Sequence, residues 1–223
     1  MAATELRRRG VPDATVARLP AYLRVLAAMA DRGVRSTSSE ELAAAVGVHS
    51  AKVRKDLSQL GTYGVRGVGY DVQHLSLEIS RELGMTREWA VVIVGMGHLG
   101  RALAGHRGFF ARGFRVAGLF DVDPAVIGER VGELTIQDLA DLPGTVRGRD
   151  AIGVIATPES AAQQVADALV AAGVSSILNL AGGNLAVPDA VDVRPVEVAA
   201  ELQILAFLRQ RRDFDVDLER VAP

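Results

Sequence analysis

Trp89-Ala90-Val91-Val92-Ile93-Val94-Gly95-Met96-Gly97-His98-Leu99-Gly100 is the stretch from which the rest of the chain is best read. Its first six residues form a continuous apolar run, suited to a parallel strand buried on both faces. The next six have the spacing GxGxxG. Gly95 permits a tight turn, Gly97 lets backbone amides approach a pyrophosphate, and Gly100 lets the following helix, expected over Leu99 to Ala104, lie close on the strand. The N-terminus of that helix attracts negative charge. Alone, the motif is a weak signal. It gains weight from a second strand, Arg115 to Phe120, ending at Asp121 about 20 residues beyond the last glycine. A carboxylate there hydrogen-bonds ribose hydroxyls and repels a 2′-phosphate, which favours NAD(H) over NADP(H). Met96, His98, Leu99 and Val122 join the glycines and Asp121 as expected cofactor contacts.

Downstream, strand Ala151 to Ala156, helix Glu159 to Ala172, strand Ser176 to Leu180 and a short strand near Val191 to Val193 repeat the alternation. That pattern predicts an α/β, Rossmann-like, doubly wound parallel sheet. Thr157-Pro158 and Asn179-Leu180-Ala181-Gly182-Gly183 fall at the carboxyl ends of the later strands, where such folds hold the far half of a dinucleotide. Ordinary turn chemistry explains those two segments equally well.

Upstream, the periodicity is helical. Val16, Leu19, Leu23, Leu26 and Met29 recur at three or four residues within Ala14 to Arg32, with Pro20 marking a boundary or kink. A second helix opens at Ser38, where Ser38 and Glu41 have capping-box spacing, and ends at Gly47. Ser50 is placed to cap a third, Ala51 to Leu60, which turns Val53, Leu57 and Leu60 inward and leaves Lys52, Arg54, Lys55, Ser58 and Gln59 outside. Two short helices joined by a glycine-containing turn, with cations on the outer face of the second, predict a helix-turn-helix. Glycines alternate with β-branched or aromatic residues from Gly61 to Val72, the pattern of a hairpin wing, with Arg66 and Gly67 at its tip and Arg66 suited to a narrow minor groove. A solvated helix face would account for the cations alone; the hairpin tips the reading toward DNA.

Composition narrows the classes. The 223 residues include no cysteine, which excludes disulfides, thiolate metal sites and thiol switches, so any redox sense must come from a bound ligand. Apolar runs fall well short of the ~20 residues a spanning helix needs, and no signal-peptide core is present, so a cytoplasmic protein is expected. Net charge is −2 overall but +3 over residues 1–85 and −5 over 86–223, compatible with a phosphate-facing front half. Of the four histidines, His49 and His74 belong to the front half, His98 to the glycine loop, and His106 follows the first helix. None is placed as the acid or base of a dehydrogenase, and no metal spacing or nucleophile elbow occurs. The domains expected are a winged-helix DNA-binding domain over 1–85, a dinucleotide-binding domain over 86–196, and a C-terminal helix and tail over 197–223.

With both halves in view, the chain resembles the Rex family of bacterial redox-sensing repressors over nearly its whole length. The resemblance lies in Arg18-Leu19-Pro20 with Tyr22, Ser39-x-Glu41-Leu42-Ala43, Val53-Arg54-Lys55-Asp56-Leu57, Arg66 through Val72, Gly95-x-Gly97-x-Leu99-Gly100, and Phe120-Asp121-Val122-Asp123-Pro124. It implies a homodimer in which NADH closes the dinucleotide domains, moves the winged helices out of operator spacing and releases an inverted-repeat operator, while NAD+ competes weakly. It also implies that the last helix, Val198 to Arg211, crosses into the partner subunit. Leu202, Leu205 and Leu208 give that helix an apolar face, with a basic end at Arg209, Arg211 and Arg212.

The departures fall where the family senses its ligand. Family members couple the domains through an arginine of the first helix, a tyrosine after the glycine-loop helix and an aspartate before the last helix. Arg18 keeps the first, but the other two positions read His106 and Glu197, and the family's Asn-Phe-Ala-Pro-Val reads Asn179-Leu180-Ala181-Gly182-Gly183. A Glu197–Arg18 pair would preserve the coupling, and His106 would add a charge that changes near neutral pH. The expectation is thus a dimeric repressor induced by NADH. The alternatives are a DNA-binding regulator answering ATP or ADP and, more remotely, an NAD-dependent oxidoreductase.

Overall fold

The structure is a computed structural model that describes residues 10–61, 63–65, 68–106 and 108–221. The chain forms two compact units that divide between Glu88 and Trp89.

In the first unit the expected opening helix is two pieces, α1 (Asp13–Val16) and α2 (Leu19–Asp31), because Pro20 sits in the first turn of the second. Then come β1 (Ser36–Thr37), α3 (Ser39–Val46), α4 (Ser50–Leu60), β2 (Gly64–Val65), β3 (Gly69–Asp71) and α5 (Val72–Glu82). The capping box of α3 is complete: Ser38 Oγ accepts from the Glu41 N–H at 3.1 Å, and Glu41 Oε2 accepts from the Ser38 N–H at 2.8 Å. Gly47, at φ +81°, closes the helix in the left-handed conformation that favours glycine. The cap of α4 is His49 rather than Ser50, which is the first helical residue. Strands β2 and β3 form the antiparallel hairpin, and β1 joins the other edge of β3. Gly69 makes that junction possible, since a Cβ there would stand 2.4 Å from the Thr37 carbonyl oxygen. Leu19, Tyr22 and Leu26 of α2, Leu42 of α3, Val53 of α4 and Val72, Leu75 and Ile79 of α5 are all fully buried in one core.

The second unit runs β4 (Trp89–Val94), α6 (His98–Ala104), β5 (Phe114–Asp121), β6 (Arg130–Val131), β7 (Leu134–Asp138), α7 (Leu142–Val146), β8 (Ala151–Ile155), α8 (Glu159–Ala171), β9 (Ser176–Asn179), β10 (Asp192–Pro195) and α9 (Val198–Val221). The sheet has seven strands in the order β10-β9-β8-β4-β5-β7-β6, parallel except for the β6–β7 pair. β4 lies near its centre and is buried on both faces, Val92 and Val94 packing into one core and Val91 and Ile93 into the other. Full burial of a valine or isoleucine is worth about 1.5–3 kcal/mol, so this strand anchors the sheet. Successive strands lead outward from β4 through β5 to β7 and, on the other side, through β8 and β9. The order reverses between β4 and β8, and at the carboxyl ends of those two strands such folds bind ligands.

Candidate functional site

In the first unit the outer face of α4 is the candidate nucleic-acid surface. Lys52, Arg54, Lys55 and Ser58 are exposed and Ser50 is half-buried. Arg54 does not hang free: its Nη1 donates to Glu40 Oε1 at 2.9 Å, Ser39 Oγ at 3.0 Å and Ser50 Oγ at 3.3 Å. The Glu40 carboxyl is held below its usual range, first by its own backbone N–H and the Ser39 hydroxyl, with Arg54 adding to them. Arg54 is therefore aimed across the start of α3, the first helix of the pair, which in a helix-turn-helix crosses the DNA backbone. The Ser58 hydroxyl donates to the Lys55 carbonyl at 2.8 Å, within its own helix. Arg66 and Gly67 lie outside the described residues.

Sequence reasoning missed the residue that holds this face in place. Asp56 lies on α4 among the exposed cations, yet its side chain is only 3% exposed. Arg18 donates to it twice at 2.7 Å, from Nε to Oδ2 and from Nη2 to Oδ1, and the Tyr22 hydroxyl donates to Oδ2 at 2.7 Å. Thr15 Oγ1 stands 2.9 Å from Asp56 Oδ1 and 2.8 Å from Gln59 Oε1, its single proton serving one at a time. Burial pushes the Asp56 carboxyl up, but the hydrogen bonds from Arg18, Tyr22 and Thr15 outweigh it and hold the group below its ordinary value. The bond to Asp56 raises the Arg18 pKa, while burial and then Asp56 push the Tyr22 hydroxyl up to about 12. Arg18, expected as a coupling residue facing Glu197, thus has its partner within its own unit, on the helix whose exposed side is cationic. The signal available in the sequence was spacing: Asp56 shares the inward period of Val53, Leu57 and Leu60.

In the second unit the glycine loop has the geometry its spacing predicts. Gly95 has φ +97°, and a Cβ there would come within 2.7 Å of the Ala156 backbone and of Thr157 Cγ2. A Cβ on Gly100 would stand 1.9 Å from the Gly95 carbonyl oxygen, so this glycine is what lets α6 turn back onto the loop. Gly97 differs, for nothing lies within 4 Å of a Cβ built on it. Two of the three glycines thus serve the protein's own packing and the third leaves open space. Asp121 ends β5 beside the loop, with Oδ2 accepting from the Met96 N–H at 2.6 Å and Oδ1 from the N–H groups of Val122 and Asp123 at 2.7 and 3.0 Å. Met96 itself is buried, whereas His98, Leu99 and Val122 are exposed.

Across the loop, just past the carboxyl end of β8, Thr157 Oγ1 is buried with no hydrogen-bond partner among the described residues, and Pro158 beside it is exposed. A buried hydroxyl without a partner costs about 1–3 kcal/mol unless a ligand or water satisfies it. Buried Asn179 shapes the next loop, its Nδ2 donating to the carbonyls of Gly182 and Gly183 at 3.1 Å and its Oδ1 accepting from the Ala181 N–H at 3.0 Å. An open glycine, a pinned carboxylate and an unpaired hydroxyl at the carboxyl ends of three neighbouring strands fit a dinucleotide laid across that edge of the sheet. The expected switch residues His106 and Glu197 are both exposed in this unit, and the His106 ring meets Phe109 edge to face with centroids 5.1 Å apart. Among the described residues no group of three or more acidic or histidine side chains could hold a metal ion, and no helix is long and apolar enough to cross a membrane.

Comparison with known proteins agrees with both halves. The family model described as "Putative DNA-binding protein N-terminus" matches residues 10–58, and the CoA binding domain model matches residues 86–183. The redox-sensing transcriptional repressor Rex of Streptomyces avermitilis is 61% identical over 207 residues, covering 92% of this chain and 82% of that protein. Rex of Chloroflexus aggregans is 44% identical over 201 residues, 90% of this chain and 95% of the relative. Among solved structures, RSP in complex with β-NAD+ and operator DNA superposes with a TM-score of 0.85 at 30% identity, covering 96% of this chain and 99% of that one. RSP in complex with β-NADH gives 0.84, also at 30% identity, covering 93% and 98%. These relatives are regulators rather than enzymes, and at such identity and coverage the chain belongs to the Rex family of redox-sensing transcriptional repressors.

Proposed function

We propose that this protein represses transcription by binding an inverted-repeat operator as a homodimer in the cytoplasm, and that NADH, in competition with NAD+, releases it. The observation that carries the ligand half is the arrangement of Gly97, Asp121 and Thr157 around one edge of the sheet. Gly95 to Gly100 would receive the pyrophosphate, Asp121 and Val122 the adenosine ribose, and Thr157 and Pro158 the far half of the dinucleotide. The matched CoA binding model raises coenzyme A as a competitor, but its adenosine carries a 3′-phosphate, which the Asp121 carboxylate would repel. Bound NAD(H) supplies a ring whose charge differs between its redox states; the protein's part is to hold it and to convert the difference into a change of shape.

Ser50, Lys52, Arg54, Lys55 and Ser58, with Arg66 and Gly67 of the wing, would contact DNA. Arg18, His106 and Glu197 would couple ligand to DNA, Arg18 being tied to α4 through Asp56. The dimer reading is supported by α9, where Val198, Leu202, Leu205 and Phe207 are 59–68% exposed along one chain. An apolar helix left this open needs a neighbour.

The test is operator binding by the full chain with NADH, NAD+, ATP and ADP added separately. Release by NADH alone is the expected result. Release by ATP or ADP without a response to NADH would replace the ligand, and failure to bind inverted-repeat DNA at all would remove the repressor reading for this chain.

A further inference from the structure

We propose that Glu159 biases the nucleotide site toward the oxidised dinucleotide and so sets the NADH/NAD+ ratio at which the protein responds. The inference rests on the reading that the second unit binds NAD(H). Glu159 is the first residue of α8, immediately after Pro158. Its side chain reaches over the loop that follows β9: a Cβ built on Gly183 would fall 2.6 Å from Glu159 Oε1 and 3.3 Å from its Cδ. Gly183 is held at φ +67° in a loop that Asn179 fastens from below, so the carboxylate lies against bare backbone with no side chain between. Two residues earlier, Thr157 packs its methyl group toward Gly95 and buries an unpartnered hydroxyl.

β8 lies between β4 and β9 in the sheet. The path from Gly95 through Thr157 to Gly183 therefore steps across the carboxyl ends of three adjacent strands, away from Asp121 on β5. That is the direction in which a dinucleotide extends from its adenosine toward its second base. Glu159 is exposed, and among the described residues it has no ion-pair partner, so the protein does not neutralise it locally.

The two dinucleotides share every group except the nicotinamide ring, which is cationic in NAD+ and neutral in NADH. A carboxylate at that end of the site attracts the first and is indifferent to the second. Solvent screens an exposed carboxylate, so the bias amounts to roughly three- to tenfold rather than orders of magnitude. Its sign is fixed: Glu159 raises competition from NAD+, and the repressor stays on DNA to a higher NADH/NAD+ ratio than it would without the charge.

The experiment is calorimetric titration of the full chain and of Glu159→Gln with NAD+, NADH and ADP-ribose, which lacks the nicotinamide. In the variant, Kd(NAD+)/Kd(NADH) should rise about three- to tenfold, ADP-ribose affinity should stay within about twofold, and the difference from the unsubstituted protein should shrink as salt is raised. An unchanged ratio overturns the proposal, as does an equal loss for all three ligands, which would mean that Glu159 acts by supporting the Gly183 loop. If the unsubstituted chain binds none of the three, the NAD(H) reading falls and the proposal with it; binding with an unchanged ratio sinks the proposal alone.

Discussion

Replacing Asp56 with alanine would test whether a buried carboxylate fixes the helix proposed to face DNA. The change removes the acceptor for two bonds from Arg18, one from Tyr22 and the shared proton of Thr15. Tyr22 is fully buried, so its hydroxyl would be stranded at a cost of about 1–3 kcal/mol. Removing one partner of a buried ion pair costs about 3–5 kcal/mol. Arg18 offsets part of this, because its side chain is 23% exposed and can recover hydration, and Thr15 can turn its proton to Gln59. The net loss should be about 3 kcal/mol, or roughly a hundredfold in local opening. Hydrogen exchange of the full-length protein would show it as faster exchange of the α4 amides with residues 89–195 unaffected, accompanied by weaker operator binding. Exchange across residues 50–60 within about threefold of the unsubstituted protein would refute the reasoning, because the loss would then be under about 1 kcal/mol.

Arg54→Ala should weaken operator binding about tenfold and lower the slope of log affinity against log salt by about 0.9, one phosphate contact, while NADH affinity is unchanged. Equal loss of both ligands in parallel titrations would contradict it. Gly100→Ala forces a methyl group onto the Gly95 carbonyl, so the melting temperature should fall by several degrees and nucleotide binding should vanish, whereas Gly97→Ala meets nothing in the protein and should lower NADH affinity at least tenfold with about the same melting temperature. Calorimetry and thermal melts on the pair check this. The Asp56 cluster also predicts two pH limits. The carboxyl's folded pKa is depressed, so its contribution is complete above about 3.9 and is lost as pH falls through the lower folded value. The hydroxyl of Tyr22 is raised, so its contribution is complete below about 10 and is lost as pH climbs toward about 12. Melting temperatures across pH should fall at both ends, and Tyr22→Phe should flatten the alkaline one.

Much of this was legible because the deciding signals are short in sequence. The capping box of Ser38 and Glu41 spans one turn, the left-handed stop at Gly47 needs only its own residue, and the glycine loop spans six. The strands β4, β5, β8 and β9 were legible as apolar runs. What stayed hidden depends on distant partners or on a misleading period. Asp56 stands between Lys55 and Leu57 and reads as one more charge on a wet helix face, until Arg18, thirty-eight residues away, closes on it. The helix α5 was masked by the β-like segment that runs into Val72, although Val72, Leu75 and Ile79 do bury one face. The last helix continues to Val221, past the expected end at Arg211; Asp213-Phe214-Asp215-Val216-Asp217-Leu218 alternates with period two, a strand-like pattern that hides the continuation in the sequence. The small antiparallel β6–β7 pair carries too few residues to show any period.

The carboxylate of Asp121 is held by three backbone amides, from Met96, Val122 and Asp123, with both oxygens engaged. An asparagine in its place would keep the size but set an amide NH2 against at least one main-chain N–H, donor facing donor, and the turn would have to re-form. On the proposed reading, neutralising this position to admit a phosphorylated ribose would therefore disturb the turn as well. The group proposed to meet the ribose is thus also a fastening of the turn, so its chemistry and the shape of the loop change together.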